Sequence, residues 1–181
     1  MDFMDCVQER RSVRKFKNDA VSSDVLKKIV QAASFAPSWK NSQTTRYIAV
    51  TDPALKKELA EKCVIDFAPN TNTMLGAPAL VLVTTVSPRS GFERDGSPST
   101  SKGTHWESFD AGIATQTFCL AAHNEGLATV VLGIFDEAKV IETAHVPEGQ
   151  KVSAILAVGY ADETPVMPKR KSVDELLSFM A

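Results

Sequence analysis

Seven basic residues lie in two compact clusters, one near each end of the sequence. The first cluster falls within residues 10–15 and the second is continuous: Arg10, Arg11, Arg14, Lys15, Lys169, Arg170 and Lys171. Guanidinium and ammonium groups at this density suit one small anion, such as a phosphate held by forked hydrogen bonds. Solvated helix ends and strand flanks are the simpler explanation, and this alternative stays open.

Two polar stretches do not have the pattern of ordinary core. In residues 10–16 (RRSVRKF), donors alternate with apolar residues, as expected of a segment that lies along an anion. Residues 36–43 (APSWKNSQ) place hydrogen-bonding side chains and an aromatic ring between a predicted helix and a predicted strand. A polar turn would explain the second stretch equally well.

Several kinds of catalytic and binding site lack support in the sequence. No GxGxxG motif follows a predicted strand, and neither GxxxxGK[ST] nor GxSxG occurs. The histidines, His105, His123 and His145, lack metal-ligand spacing. We therefore predict no metal site and no catalytic side chain, and expect a bound organic cofactor to carry any chemistry.

Length and composition limit the number of domains, the partners and the location that are expected of this protein. A length of 181 residues predicts one domain over residues 1–181. A pI of 5.9 does not favour nucleic acid as a partner, and the longest apolar run, near residues 77–83, is too short to cross a bilayer. The N-terminal stretch lacks the pattern of an export signal, and the three cysteines are widely spaced. We therefore expect a cytoplasmic protein.

The clusters and polar stretches must be positioned by alternating helices and strands. Periodicity and capping residues predict helices over residues 2–10, 23–35, 53–63, 106–124 and 136–146, and from Ser172 onward. Strands are predicted over 47–50, 79–86, 128–134 and 154–158. Between them, residues 87–104 form a long polar loop, which we expect to serve as a lid or rim.

Six segments, taken in their order along the sequence, resemble the FMN-dependent nitroreductase family, and the resemblance covers nearly the whole chain. They are RRSVRKF, APSWKNSQ, Asp110-Ala111-Gly112, residues 126–129 (GLAT), residues 131–133 (VLG) and PKRKSVDEL. The resemblance implies an α+β fold with a mixed β-sheet flanked by helices. It also implies a homodimer with two FMN molecules at the interface, each contacted by both subunits.

The resemblance also implies which residues hold FMN. The phosphate, ribityl chain and pyrimidine edge would be held by Arg10, Arg11, Ser12 and Arg14. From the far end of the chain the phosphate would be reached by Lys169 and Lys171, with Arg170 as a rival. The partner subunit would contribute Pro37, Ser38, Trp39 and Asn41. The ring would be met by Asn70, Val131, Leu132 and Gly133, with the Gly133 amide as a candidate donor to N5.

The implied function is that of an NAD(P)H-dependent flavin oxidoreductase. Hydride would pass from NAD(P)H through FMN to a nitroaromatic, quinone or related small acceptor. Because no Rossmann motif would retain NAD(P)H, we expect ping-pong kinetics. Arg89 and Arg94 are free to contact a 2′-phosphate. The alternatives are another FMN-dependent redox task, such as dehalogenation or oxidation, and a flavin-binding protein without turnover.

Two positions depart from the family pattern. Residues 44–46 read Thr-Thr-Arg where the family commonly has Pro-Trp followed by Arg, and Thr73 occupies a position where some members have Lys. These departures leave the acceptor open.

Overall fold

The computed structural model describes residues 1–180 and contains helices, one short 3-10 turn and four strands. The helices are α1 (Phe3–Glu9), α2 (Ser23–Ala33), α3 (Pro53–Lys62), α4 (Ala68–Gly76), α5 (His105–Asn124), α6 (Glu137–Thr143) and α7 (Val173–Leu176). The strands are β1 (Thr45–Val50), β2 (Ala79–Val86), β3 (Ala128–Leu132) and β4 (Gln150–Gly159). The 3-10 turn spans Trp39–Asn41.

The four strands form one sheet in the order β1-β2-β4-β3, and every pair of neighbours is antiparallel. The α+β class is confirmed. The parallel part of the expected mixed sheet is limited, in the described residues, to an isolated bridge between Ser12 and Thr129. Helix α4, which the sequence analysis does not predict, is the second helix between β1 and β2. The chain therefore returns to the sheet at the end where β1 left it, and β2 runs antiparallel.

Helices cover both faces of the sheet. Alternate residues of β2, such as Leu80 and Leu82, join a core cluster with residues of α3, α4 and α6. Their neighbours Val81 and Val83 join a second cluster with α2 and α5, where Phe118 is fully buried. Because both faces are covered, β2 is a continuous apolar run rather than an alternating one.

Capping residues start the helices where the sequence predicts. Asp52 Oδ1 accepts the Leu55 N–H at 2.8 Å, and Ser172 and Glu175 form the predicted capping box of α7. Helix α7 ends at Leu176, earlier than expected, because residues 166–180 lie exposed and offer no packing for a longer helix. Among residues 1–180, no helix is long and apolar enough to span a membrane.

Candidate functional site

The first basic cluster lies along the free edge of β3. The Val13 amide donates to the Thr129 carbonyl at 3.1 Å, and the Asp162 amide donates to the Lys15 carbonyl at 2.9 Å. Val13 and Phe16 are buried, whereas Arg14 is exposed. The predicted alternation therefore serves to anchor the segment by its apolar residues while its cations face outward.

The carboxylate of Glu163, which no local sequence pattern indicates, holds this segment. Glu163 Oε1 accepts the backbone N–H of Arg14 at 2.6 Å and that of Lys15 at 3.2 Å. The Arg14 and Glu163 positions are 149 residues apart, so no local pattern could have revealed the contact. The backbone around Arg14 is thereby fixed without using its guanidinium.

Arg10 and Arg11 line a cavity of about 490 Å³ between α1, the end of α5 and the start of β3. The Arg11 guanidinium donates to the Gln8 and Arg10 carbonyls at the end of α1, so for Arg11 the simpler explanation as a helix-end residue holds. Within residues 1–180, the guanidinium groups of Arg10 and Arg14 make no hydrogen bond or ion pair. These two side chains are therefore available to an anion.

His123 lines the same cavity and is a second residue that the sequence analysis does not place in the site. Its Nε2 is buried without a hydrogen-bond partner. Burial lowers the pKa of His123, Glu9 opposes this shift, and Arg10 and Arg11 lower the pKa further. A neutral imidazole with an unoccupied nitrogen therefore forms part of the cavity wall.

The second basic cluster does not reach this cavity within one protomer. Lys169 and Lys171 are exposed in the C-terminal segment, and the cavity is lined instead by Pro165 and Met167 of that segment. The convergence of the two clusters on one phosphate stays a prediction.

The 36–43 stretch forms a sharply bent turn beside the start of β1. Lys40, Asn41 and Gln43 have φ values of 47°, 53° and 48°, a left-handed conformation that non-glycine residues adopt infrequently. The Ser38 hydroxyl accepts the Gln43 N–H at 2.9 Å and closes the turn. Pro37 lines one cavity, of about 330 Å³, which Ser38 and Asp110 share.

Asp110 of α5 holds this turn through a hydrogen bond to its backbone. Its Oδ2 accepts the Trp39 N–H at 2.9 Å and the Ser90 hydroxyl at 2.7 Å. Asp110 is only 3% exposed and Ser90 is fully buried. One carboxylate oxygen therefore joins the turn to the beginning of the long loop, and Trp39 and Asn41 face the groove between the two.

The predicted ring-facing residues gather at the end of β3. Val131 and Gly133 are exposed, whereas the Leu132 side chain is buried in the core, so only its backbone can face a ligand. Asn70 of α4 donates from Nδ2 to the Ile134 carbonyl at 3.1 Å. The structure thus places Asn70 beside Ile134, the residue that follows Gly133. Thr73 is buried and donates to the Pro69 carbonyl, which leaves it no role at a ring.

Comparison with known proteins defines the class to which this fold and site belong. The family model described as the nitroreductase family matches residues 7–160. An NADPH-dependent oxidoreductase of Staphylococcus haemolyticus is 28% identical over 91% of this chain and 67% of that protein. Iodotyrosine deiodinase 1 of Sus scrofa is 24% identical over 97% of this chain and 68% of that protein.

A solved structure supports the same assignment. A crystal structure described as an oxidoreductase containing FMN has a TM-score of 0.73 and 25% identity over 93% of this chain and 80% of that chain. This protein belongs to the nitroreductase family, and its class as an oxidoreductase is confirmed. FMN, the cofactor expected from the sequence, is present in that structural relative.

Proposed function

We propose that this protein is a homodimeric FMN oxidoreductase with one cofactor-binding domain over residues 1–181. FMN would accept hydride from NAD(P)H and pass it to a nitroaromatic, quinone or related small acceptor by a ping-pong mechanism. The observation that carries the proposal is the match of the nitroreductase family model to residues 7–160. The buried free thiols of Cys6, Cys63 and Cys119 support a cytoplasmic location.

The residues of the β3 edge fit an FMN molecule. Arg10 and Arg14 carry guanidinium groups without a partner in the described chain, as an anionic cofactor requires. A Cβ placed on Gly133 would meet nothing within 4 Å, so the end of β3 has open space for a ring. Arg10 would bind the phosphate, and Arg14 would stabilise negative charge on the reduced pyrimidine edge. We propose that the Gly133 amide orients the ring from its other side.

Residues from the remaining predicted positions would complete the site. In this proposal Ser12 lies along the ribityl chain, and Arg11 contributes less because α1 carbonyls already occupy its guanidinium. Lys169 and Lys171 would reach the phosphate on assembly. Pro37, Ser38, Trp39 and Asn41 would contact the cofactor held mainly by the partner subunit.

Exposed apolar side chains support the homodimer. In the C-terminal segment, the exposed fractions are 90% for Val166, 69% for Val173, 72% for Leu176 and 89% for Phe179. A monomer would leave this whole segment without a core contact. A second subunit would bury these side chains and bring the basic residues of the same segment to a cofactor site.

A second candidate function is reductive dehalogenation of an aromatic substrate by the same FMN. The observation that favours it is the similarity to iodotyrosine deiodinase 1 over 97% of this chain. Nitroaromatic or quinone reduction and dehalogenation would both use FMN at the same β3 edge, so the two functions differ only in the substrate that the reduced flavin acts on. A flavin-binding protein without turnover is the outcome if neither acceptor class is reduced.

The visible spectrum of the purified protein tests the proposal. We expect a flavin spectrum that bleaches on anaerobic addition of NADH or NADPH and recovers on addition of a nitroaromatic or quinone. Recovery with a halogenated phenol and release of halide would instead favour dehalogenation. Intersecting rather than parallel double-reciprocal lines would contradict the ping-pong mechanism. A protein that stays colourless after incubation with FMN would refute the cofactor assignment.

A further inference from the structure

The long loop and the 36–43 turn enclose a groove of about 840 Å³, called here the loop groove. Its walls are residues 39–42 of the turn and residues 88–96 of the loop, apart from Ser90 and Gly91. The loop is anchored at its base, because Ser90 bonds to Asp110 and Gly91 lies against the Gly103 carbonyl and the Trp106 ring. The groove is therefore a built feature of the fold.

The carboxylates in its wall are already occupied. Glu93 accepts from the Ser99 hydroxyl and from Lys40 Nζ at 3.0 and 3.1 Å, and the Ser99 bond, followed by the Lys40 bonds, lowers the pKa of Glu93. Asp95 accepts the Ser97 amide at 3.0 Å and the Ser97 hydroxyl at 2.6 Å. Glu93 is therefore paired with a cation, and Asp95 Oδ1 is occupied by two donors of Ser97.

Two cations in the same wall are unpaired. The guanidinium groups of Arg89 and Arg94 make no hydrogen bond or ion pair with any residue in 1–180, although both residues line the groove. Lys102 of the same loop lies 5.2 Å from the Trp106 ring centroid and does not line the groove. The groove therefore presents two guanidinium groups, each able to donate two parallel hydrogen bonds, and neither has a carboxylate partner in the part of the chain that the structure describes.

Two buried polar groups on the turn side of the groove have no hydrogen-bond partner among residues 1–180. Trp39 Nε1 is buried without a partner within the described chain, as is the Ser42 hydroxyl. An indole N–H can only donate, so the group that would satisfy it is an acceptor. Trp39 also packs against Trp106 with ring centroids 4.8 Å apart, which gives this wall a flat aromatic surface.

We propose that the loop groove is an anion subsite for the molecules that exchange hydride with FMN. Arg89 and Arg94 would bind a terminal oxyanion group, a carboxylate or a phosphate, on the substrate whose ring lies at the flavin. The inference rests on the proposed function, because the same turn carries Ser38, Trp39 and Asn41 toward the cofactor. Two substrates have this chemistry: NADPH through its 2′-phosphate, and an aromatic acceptor through an acidic substituent.

Paired substrates separate the two sources. In anaerobic stopped-flow experiments on the FMN-loaded enzyme, flavin reduction is followed with NADPH and with NADH. Reoxidation is followed with 4-nitrobenzoate and with 4-nitrobenzyl alcohol. The variants are Arg89→Ala and Arg94→Ala, with Lys102→Ala as the control that removes one positive charge from the same loop without touching the groove.

We expect a loss of at least about tenfold in the second-order rate constant for one charged member, with its uncharged counterpart unchanged, because a hydrogen bond to a charged group is stronger than a neutral one. A loss confined to NADPH would identify the 2′-phosphate, and a loss confined to 4-nitrobenzoate would identify an acidic acceptor. Equal effects within both pairs, or the same selective loss in Lys102→Ala, would overturn the proposal.

A binding measurement keeps the subsite testable if the proposed redox function fails. Tryptophan fluorescence of the protein is titrated with NADP⁺ and NAD⁺, and with 4-nitrobenzoate and 4-nitrobenzyl alcohol. A preference for the anionic member that is lost in Arg89→Ala or Arg94→Ala supports the subsite even in a protein that never turns over. Equal binding of both members by the unmodified protein refutes it.

Discussion

Replacing Asp110 tests whether one buried oxygen holds the 36–43 turn to the long loop. The Asp110→Ala change removes the acceptor of both the Trp39 amide and the Ser90 hydroxyl, which lie 2.9 and 2.7 Å from Oδ2. Each buried donor left unsatisfied costs about 1–3 kcal/mol. We therefore expect a loss of about 4 kcal/mol in the free energy of unfolding, or a fall in Tm of roughly 10 °C for a chain of this size.

The Asp110→Asn change separates hydrogen bonding from charge. Both donors use the same carboxylate oxygen, so an asparagine whose Oδ1 takes that position keeps both bonds and loses only their charge assistance. We expect Asp110→Asn to cost about 1 kcal/mol, well below the alanine variant. Ser108→Ala, an exposed position on the same helix, is the control and should be neutral.

Urea unfolding followed by far-UV circular dichroism measures these differences at one fixed protein concentration, because assembly couples to stability. FMN affinity, followed by flavin fluorescence, should fall in the alanine variant, since the turn positions Ser38 and Asn41. Equal losses in Asp110→Asn and Asp110→Ala would refute the reasoning, because the oxygen would then not act as an acceptor. A loss below about 1 kcal/mol in Asp110→Ala would refute it as well.

Three further predictions follow from single positions. Gly91→Ala should lower Tm by several degrees, and Gly96→Ala should lower it by less. Both glycines have φ near +84°, but only a Cβ at Gly91 would meet a backbone oxygen, 2.6 Å away. Equal shifts of Tm in a thermal melt would contradict this reasoning. Arg10→Ala should weaken FMN binding at least tenfold and Arg11→Ala much less, because carbonyls at the end of α1 already occupy the Arg11 guanidinium. If a fluorescence titration shows the larger loss of FMN affinity in Arg11→Ala, Arg10 is not part of the site. Burial, with a smaller contribution from the nearby Cys119 thiol, raises the pKa of Tyr47 from 10.0 to about 12. As pH rises, the unfolded chain therefore loses its Tyr47 proton first, and the stability contributed by this group is lost between pH 10 and 12. Urea titrations of Tyr47→Phe should show a shallower decline of the free energy of unfolding in that window. At pH 8 the variant should be as stable as the unmodified protein, because the buried hydroxyl has no hydrogen-bond partner to lose among the described residues.

Local features of the fold were predictable because their causes lie within a few residues. Asp52 and Ser172 start helices through hydrogen bonds to residues three positions on, and the apolar run of β2 has the bounds that its sequence indicates. Helix α4 was not predicted, because residues 68–76 have few apolar positions and begin without a capping side chain. The antiparallel return from β1 to β2 depends on that helix and was missed with it.

The candidate site divides in the same way. Residue types and their order along the chain indicated the nitroreductase family, FMN and the basic cluster around Arg10. Tertiary structure decided which cations are available: Arg11 is occupied by α1, while Arg10 and Arg14 are not. It also supplied Glu163, which bonds to the backbone of the cluster, and His123, which lines the same cavity as Arg10; both lie more than 100 residues from the cluster along the chain. Hydrogen bonding and desolvation act through space, so the sequence determined which groups are present and only the fold decided which of them are unpaired.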